Sequence, residues 1–396
     1  MTTGMIDLPP VEADPLLGLL AAVRADTREG KVDLGVGIYK DAAGQTPVLA
    51  SVRAAELKRL ENETTKSYES AQGNPVFGQE IGRLVLGAGH DRHAVFATPG
   101  GSGALFIAMR FLKRLSPTGR IFVSKPCWPN HLGIANAVDM PVVDYAYAPK
   151  GDGYPDFDQV LAGLQDLKAG DAILLQGPCH NPTGTDFSAD QWDALADKIA
   201  SVGAIPLIDM AYQGFAHGLE EDVAPLRAFL AKVPEALITY SCSKNFGLYR
   251  ERTGALIVQG ATPSAVERAT THLAAIVRTV YSMPPSNGPA IVANILSDPT
   301  LERQWQEELA EMRQRLQALR TGFAGELVRA ANDDRFSVVA EEKGMFSILP
   351  LTKDAILTLR EEHAIYMPGS GRINVAGLPE DRLAEVAAAI GPHLIR

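Results

Sequence analysis

Short apolar runs and longer amphipathic stretches alternate through the middle of the chain. Runs at His93–Ala97, Arg120–Ser124, Ala172–Gln176, Ala204–Ile208, Ala236–Tyr240 and Thr253–Gln259 are each bounded by Gly, Pro, Ser or Asp. That is the pattern of strands covered on both faces. Helical periodicity fills Ala104–Leu115 and Ala189–Ser201 between them. The alternation predicts an α/β domain with a mostly parallel sheet. In such sheets ligands collect beyond the carboxyl ends of the strands, so the polar residues that close each run matter most. Past Pro299 the rhythm changes. Leu301, Trp305, Leu309, Met312, Leu316, Leu319, Phe323 and Leu327 recur at spacings of three and four, which predicts one long amphipathic helix. Phe336–Leu349, a helix-like Thr352–Glu362, Arg372–Val375 and Asp381–Ile390 predict a smaller α+β unit. Residues 1–46 lack the strand–helix rhythm and are expected to join it.

Charge narrows the partners. The 396 residues include 37 Lys+Arg and 47 Asp+Glu, a formal charge of −10. A nucleic-acid or anionic-membrane surface rewards clustered basic residues, so neither is expected. A small basic pocket for an anionic metabolite stays open. Hydrophobic residues make up 46% of the chain, too many for bulk disorder. The longest apolar stretches, such as Ala172–Leu175 and Ala204–Ile208, are strand-sized, well short of the ~20 residues of a membrane span. Met1–Val11 lacks a basic start followed by an apolar run, so no secretory signal is expected. Cys127, Cys179 and Cys242 lie far apart with no C-x-x-C pair. The expectation is reduced thiols in the cytoplasm, with no disulfide framework and no metal site.

The densest chemistry follows the run Ala236–Tyr240: Ser241-Cys242-Ser243-Lys244-Asn245-Phe246-Gly247, then Tyr249, Glu251 and Arg252. A lysine at a strand terminus suits a Schiff base if desolvation or a nearby cation lowers its pKa from ~10.4. Taken alone, it equally suits a solvated lysine in a polar turn. Ser241 and Arg252 could hold a phosphate, the arginine as a forked donor. Pro99-Gly100-Gly101-Ser102-Gly103-Ala104 closes another run and opens a helix, where free N–H groups attract a phosphate and glycines permit close approach. The dinucleotide fingerprint fails, because Phe106 stands where its last Gly or Ala belongs, and no Gly-Lys-Ser/Thr follows.

The segment Ser-x-Ser-Lys-Asn-Phe-Gly-x-Tyr-x-Glu-Arg-x-Gly resembles the lysine segment of the pyridoxal phosphate (PLP) aminotransferases of the aspartate and aromatic amino-acid family. Further motifs occur in the family's order from Val32 to Gly377. The resemblance implies the fold type I architecture of PLP-dependent transferases. It has a large domain (47–311) with a mostly parallel seven-stranded sheet, and a small α+β domain from 1–46 and 312–396 reached through a long connecting helix. It implies that Lys244 holds PLP and moves protons as general base and acid. Asp209, in Leu-Ile-Asp-Met-Ala-Tyr, is implied to face the pyridine nitrogen, which makes the ring an electron sink; by itself it would also suit a helix N-cap. Tyr212 and Asn181 are implied at the phenolate oxygen. Gly101, Ser102, Ser241 and Arg252 are implied at the phosphate, with Tyr68 reaching it from the neighbouring subunit. Trp128 is implied to stack on the ring and His131 to orient Asp209.

For the substrate, Arg372 is implied to grip the α-carboxylate and Arg278 a side-chain carboxylate across a dimer interface. Gly37, within Val36-Gly37-Ile38-Tyr39, is implied to lie in a mobile closing segment, and Phe346 in the pocket wall. Each arginine could otherwise be an ordinary surface residue. Met283, where the family often carries a polar residue, favours larger or aromatic side chains. The expected reaction is ping-pong transfer from an aromatic amino acid or aspartate to 2-oxoglutarate, in a homodimer with shared sites. Alternatives are a PLP-dependent lyase or decarboxylase, and a non-catalytic PLP-binding module.

Overall fold

The computed structural model describes residues 4, 5, 8, 15–89 and 91–395. Most of Met1–Val11, the segment behind the expectation about a secretory signal, therefore lies outside the described residues, as does much of the start of the expected small domain.

Seven strands form one central sheet: β1 (His93–Pro99), β2 (Ile121–Lys125), β3 (Val142–Ala146), β4 (Ala172–Gln176), β5 (Ile205–Met210), β6 (Ala236–Ser241) and β7 (Thr253–Gln259). Their spatial order is β1-β7-β6-β5-β4-β2-β3. All neighbouring pairs are parallel except the two made by β7, which runs antiparallel to both β1 and β6. The sheet is thus α/β and mostly parallel, as the alternation predicts. Residues Ile173, Leu174, Leu175, Leu207, Ile208, Leu256 and Ile257 are wholly buried, because helices cover both faces.

Two local differences have physical reasons. Strand β3 is absent from the apolar runs because it is an edge strand, with Val142 and Asp144 exposed, and so lacks a continuous buried stretch. The helix after β1 begins at Gly100, four residues ahead of the expected Ala104: the glycines are its first turn.

The long helix spans Pro299–Ala331 and starts at Asp298, whose carboxylate accepts from Thr300 N at 3.0 Å. Trp305, Leu309, Leu316, Leu319, Phe323 and Leu327 form its buried stripe. The N-terminal segment joins the C-terminal one: Val32–Asp33 pairs in parallel with Ile365–Tyr366. Arg372–Asn374 pairs antiparallel with Phe346–Ile348. The Asn374 amide donates to the carbonyls of Val36 and Ile38, at 2.6 and 2.7 Å, and so pins the segment 36–38 beside that ladder. No described helix is long and apolar enough to cross a membrane.

Candidate active site

A cavity of about 320 Å³ opens at the carboxyl ends of the central strands. Gln176 ends β4, Asp209 lies near the end of β5 and Ser241 ends β6. Lys244 and Arg252 follow in the β6–β7 loop, and Gly101 and Ser102 open the helix after β1. The register sets Gln176 beside Asp209, and Asp209 beside Thr239. From the other side come Val36, Gly37, Ile38, Phe346 and Arg372, with Leu16 of the N-terminal helix Pro15–Ala25.

The Asp209 carboxylate is held at both oxygens. His131 donates from Nε2 to Oδ2 at 2.8 Å, and Thr239 donates from its hydroxyl to Oδ1 at 2.7 Å. His131 is fully buried in the helix Pro129–Ala137 and meets Trp128 edge-on, 5.3 Å between ring centroids. Trp128 and Asp209 both line the cavity.

Lys244 is lowered from its ordinary pKa to about 8. Burial is the main cause, because it penalises the ammonium; Asp209 opposes it and the Arg252 cation adds to it. Its Nζ stands 5.1 Å from the centre of the Tyr212 ring. Burial raises the Tyr212 phenol, so it stays protonated at neutral pH.

The glycine-rich helix start is shaped around a cation. Gly100 has φ +71°, and a Cβ there would come within 2.6 Å of the Arg252 guanidinium. A Cβ on Gly101 would stand 3.1 Å from the Ser241 side chain. This corner combines helix N–H groups, Ser102, Ser241, Ser243 and Arg252, a donor set suited to a phosphate.

Arg372 donates to the Gly35 carbonyl at 2.7 Å and to Asn181 Oδ1 at 3.4 Å, and its guanidinium lies 4.5 Å above the centre of the Phe346 ring. Its Nε is buried without a partner. Burial lowers its pKa, yet an arginine remains charged. The backbone N–H of Asn181 donates to Gln176 Oε1, and the Gln176 amide donates back to the Asn181 carbonyl, both at 3.0 Å.

Two predicted residues stand apart from this cavity. Tyr68 is 93% exposed. Arg278 is exposed in the last turn of the helix Pro263–Val280, where it bonds the Ser282 hydroxyl. The two belong to adjoining segments, because Glu69 N donates to the Met283 sulfur at 3.1 Å. Met283, expected near the substrate, lies with them; every other predicted site residue lines the cavity, or, like His131, bonds one that does. Sequence reading missed Thr239, Gln176 and Leu16. Gln176 carried a usable signal, as the polar residue that closes an apolar run. Thr239 carried none, since its tie to Asp209 depends on strand register.

Pyridoxal phosphate suits these groups: a poised amine, a restrained carboxylate, a flat indole and a phosphate-binding corner lie in one cavity. Residues 29–390 match the family described as aminotransferase class I and II. The aromatic-amino-acid aminotransferase of Paracoccus denitrificans is 45% identical over 97% of this chain and 98% of that relative. The aspartate aminotransferase of Escherichia coli (strain K12) is 46% identical over 96% and 97%. A solved aromatic-amino-acid aminotransferase from Burkholderia pseudomallei, covalently bound to pyridoxal phosphate, superposes with a TM-score of 0.95 at 37% identity, covering 100% of both chains. The lyase, decarboxylase and non-catalytic alternatives are not favoured, since these relatives match over almost their whole length. The chain belongs to the class I and II aminotransferases, pyridoxal-phosphate-dependent enzymes with the fold type I architecture.

Proposed function

We propose that this cavity transfers an amino group from an aromatic amino acid or aspartate to 2-oxoglutarate, in two half-reactions that share one site. The observation that carries the reading is the Lys244 amine, held at a pKa of about 8 in a cavity that also contains Asp209, Arg252 and Arg372. Near neutral pH a useful fraction of that amine is uncharged and can act as nucleophile or base.

Bound pyridoxal phosphate supplies a ring that accepts the electron pair left when the substrate α-proton departs. Arg252, Ser241, Ser102 and Gly101 would hold its phosphate. Tyr212 and Asn181 would face its ring oxygen, with Trp128 against its face. Asp209, fixed by His131 and Thr239, presents its carboxylate at the cavity floor, where it would face the ring nitrogen. Lys244 Nζ takes the proton from the substrate α-carbon as base and, as acid, would pass it to the coenzyme's C4′ carbon; the second half-reaction runs the same transfer in reverse, ending on the α-carbon of glutamate. Arg372 grips the α-carboxylate, a group that satisfies its unpartnered Nε. Gly37 and Ile38 cover the cavity and exclude water; a Cβ at position 37 would press on Phe346 at 3.1 Å.

The working unit is a cytoplasmic homodimer, in which Tyr68 and Arg278 complete the partner's cavity. The exposed Tyr68, Arg278 and Val280, off this chain's own cavity, support that placement. Residues 47–311 form the large domain; 1–46 and 312–396 form the small one, with the helix Pro299–Ala331 running between them. Tyr249 accepts from Tyr39 N at 2.9 Å and ties the closing segment to the lysine loop. Arg278 would receive aspartate and 2-oxoglutarate, while Met283 beside it leaves room for phenylalanine and tyrosine. Incubation with phenylalanine, tyrosine or aspartate plus 2-oxoglutarate tests the reading. Glutamate and the matching oxo acid should form one for one. Ammonia or carbon dioxide without glutamate would overturn it.

A further inference from the structure

We infer that Thr239 is a positioning residue for the cofactor-facing carboxylate and sets how strongly Asp209 charges the cavity. This deepens the proposed function and rests on it.

Thr239 lies inside β6, five residues before Lys244, and is fully buried. A parallel-sheet strand buried on both faces normally carries apolar residues, and the rest of Ala236–Tyr240 does. A hydroxyl there costs desolvation unless it is bonded. Its short bond goes to Asp209 Oδ1 at 2.7 Å, with the Ile208 carbonyl a distant second acceptor at 3.5 Å, across the β5–β6 pair in which Asp209 and Thr239 are register partners. The Asp209 side chain is 10% exposed, and its other oxygen accepts from His131. The two donors do different work. His131 sits on the helix Pro129–Ala137, outside the sheet, and fixes one oxygen. Thr239 belongs to the sheet itself, so the second oxygen is tied to the backbone that also delivers Lys244. Together they leave the carboxylate no free rotation about its last bond.

The hydroxyl also disperses negative charge. An anion that accepts a hydrogen bond is less basic than one that does not. Without Thr239, Asp209 would keep a more concentrated charge and favour cationic forms of whatever faces it, Lys244 included. The titratable and charged groups that face Asp209 are Lys244, Tyr212, Arg252 and Arg372 in the cavity, with the His131 ring at the other oxygen.

The test compares Thr239→Val, which keeps the shape and loses the hydroxyl, with Thr239→Ser, which keeps the hydroxyl. Both are made as PLP-loaded enzyme. The readouts are the pH midpoint of the coenzyme's visible absorption, kcat and KM for one amino donor, and the melting temperature. Thr239→Val should move the midpoint to higher pH by about one unit and lower kcat about tenfold, the rate equivalent of one such hydrogen bond to a charged group, with KM little changed. Thr239→Ser should restore both. A merely structural hydroxyl would lower the melting temperature and leave the midpoint in place. A wild-type midpoint in Thr239→Val, or a failure of Thr239→Ser to restore it, would overturn the inference. Should Thr239→Val not fold, Thr239→Ala gives the same comparison. Wild-type protein that shows no coenzyme absorption after loading would instead overturn the proposed function.

Discussion

Arg372 and Arg278 are the same side chain in opposite surroundings. Arg372 is enclosed by Gly35, Asn181 and Phe346, burial lowers its pKa, and its Nε has no partner. Arg278 is exposed at a helix end, bonded to Ser282 and next to the exposed Val280. An enclosed, incompletely bonded guanidinium costs free energy unless a ligand completes it, so the fold retains Arg372 as part of a site. Among the described residues, none encloses Arg278. In the proposed homodimer, the contrast divides the labour: one protomer would assemble the coenzyme half and the α-carboxylate grip, and recognition of a second carboxylate would need the other.

The largest expected effect lies at the centre of the assembled half. Lys244→Ala should lower kcat by at least about 10²–10⁴-fold for every amino donor, the usual span for loss of a proton-transferring group, checked by single-turnover spectroscopy. Next, Arg372→Ala should lower kcat/KM for aspartate and phenylalanine alike, by about 10–100-fold, as expected for a lost charge-assisted contact. Arg278→Ala sharpens the contrast. It should cost a similar factor for aspartate and 2-oxoglutarate and leave phenylalanine nearly unchanged; equal losses would erase the distinction between the two arginines. Smallest is Gly37→Ala: its Cβ would stand 3.1 Å from the Phe346 ring, so the ring must shift slightly, and KM should rise a few-fold with kcat kept.

A pH experiment separates the two regions without substrate. In coenzyme-free protein the Lys244 amine, at a pKa of about 8, should lose its proton roughly two units below an ordinary lysine. Its acylation rate should therefore rise through pH 8 and level off while surface lysines are still mostly protonated. Asp209 raises this pKa, so Asp209→Asn should move the inflection to lower pH.

The sequence revealed the sheet wherever strands are buried on both faces, because continuous apolar runs record that burial. It hid β3, whose edge position exposes Val142 and Asp144. It hid the true start of the helix at Gly100, since glycines read as loop while their backbone serves as the first turn. Lys244, Asp209 and Arg252 were legible through local chemistry and family resemblance. The bond between His131 and Asp209 spans 78 positions, so resemblance alone could suggest it. Thr239 was invisible: a hydroxyl within an apolar run gains meaning only once strand register places it opposite Asp209. Tyr68 and Arg278 carried motif signals, yet the fold of this chain leaves both exposed and off its cavity.

All of the proposed chemistry requires the Lys244 amine to reach a coenzyme seated over Asp209. Borohydride reduction of the PLP-loaded protein, followed by peptide mass mapping, tests it most directly. The predicted result is a stable coenzyme adduct on the peptide that carries Lys244, and its absence from Lys244→Ala. An adduct on a different lysine, or an unmodified Lys244 in active enzyme, would contradict it.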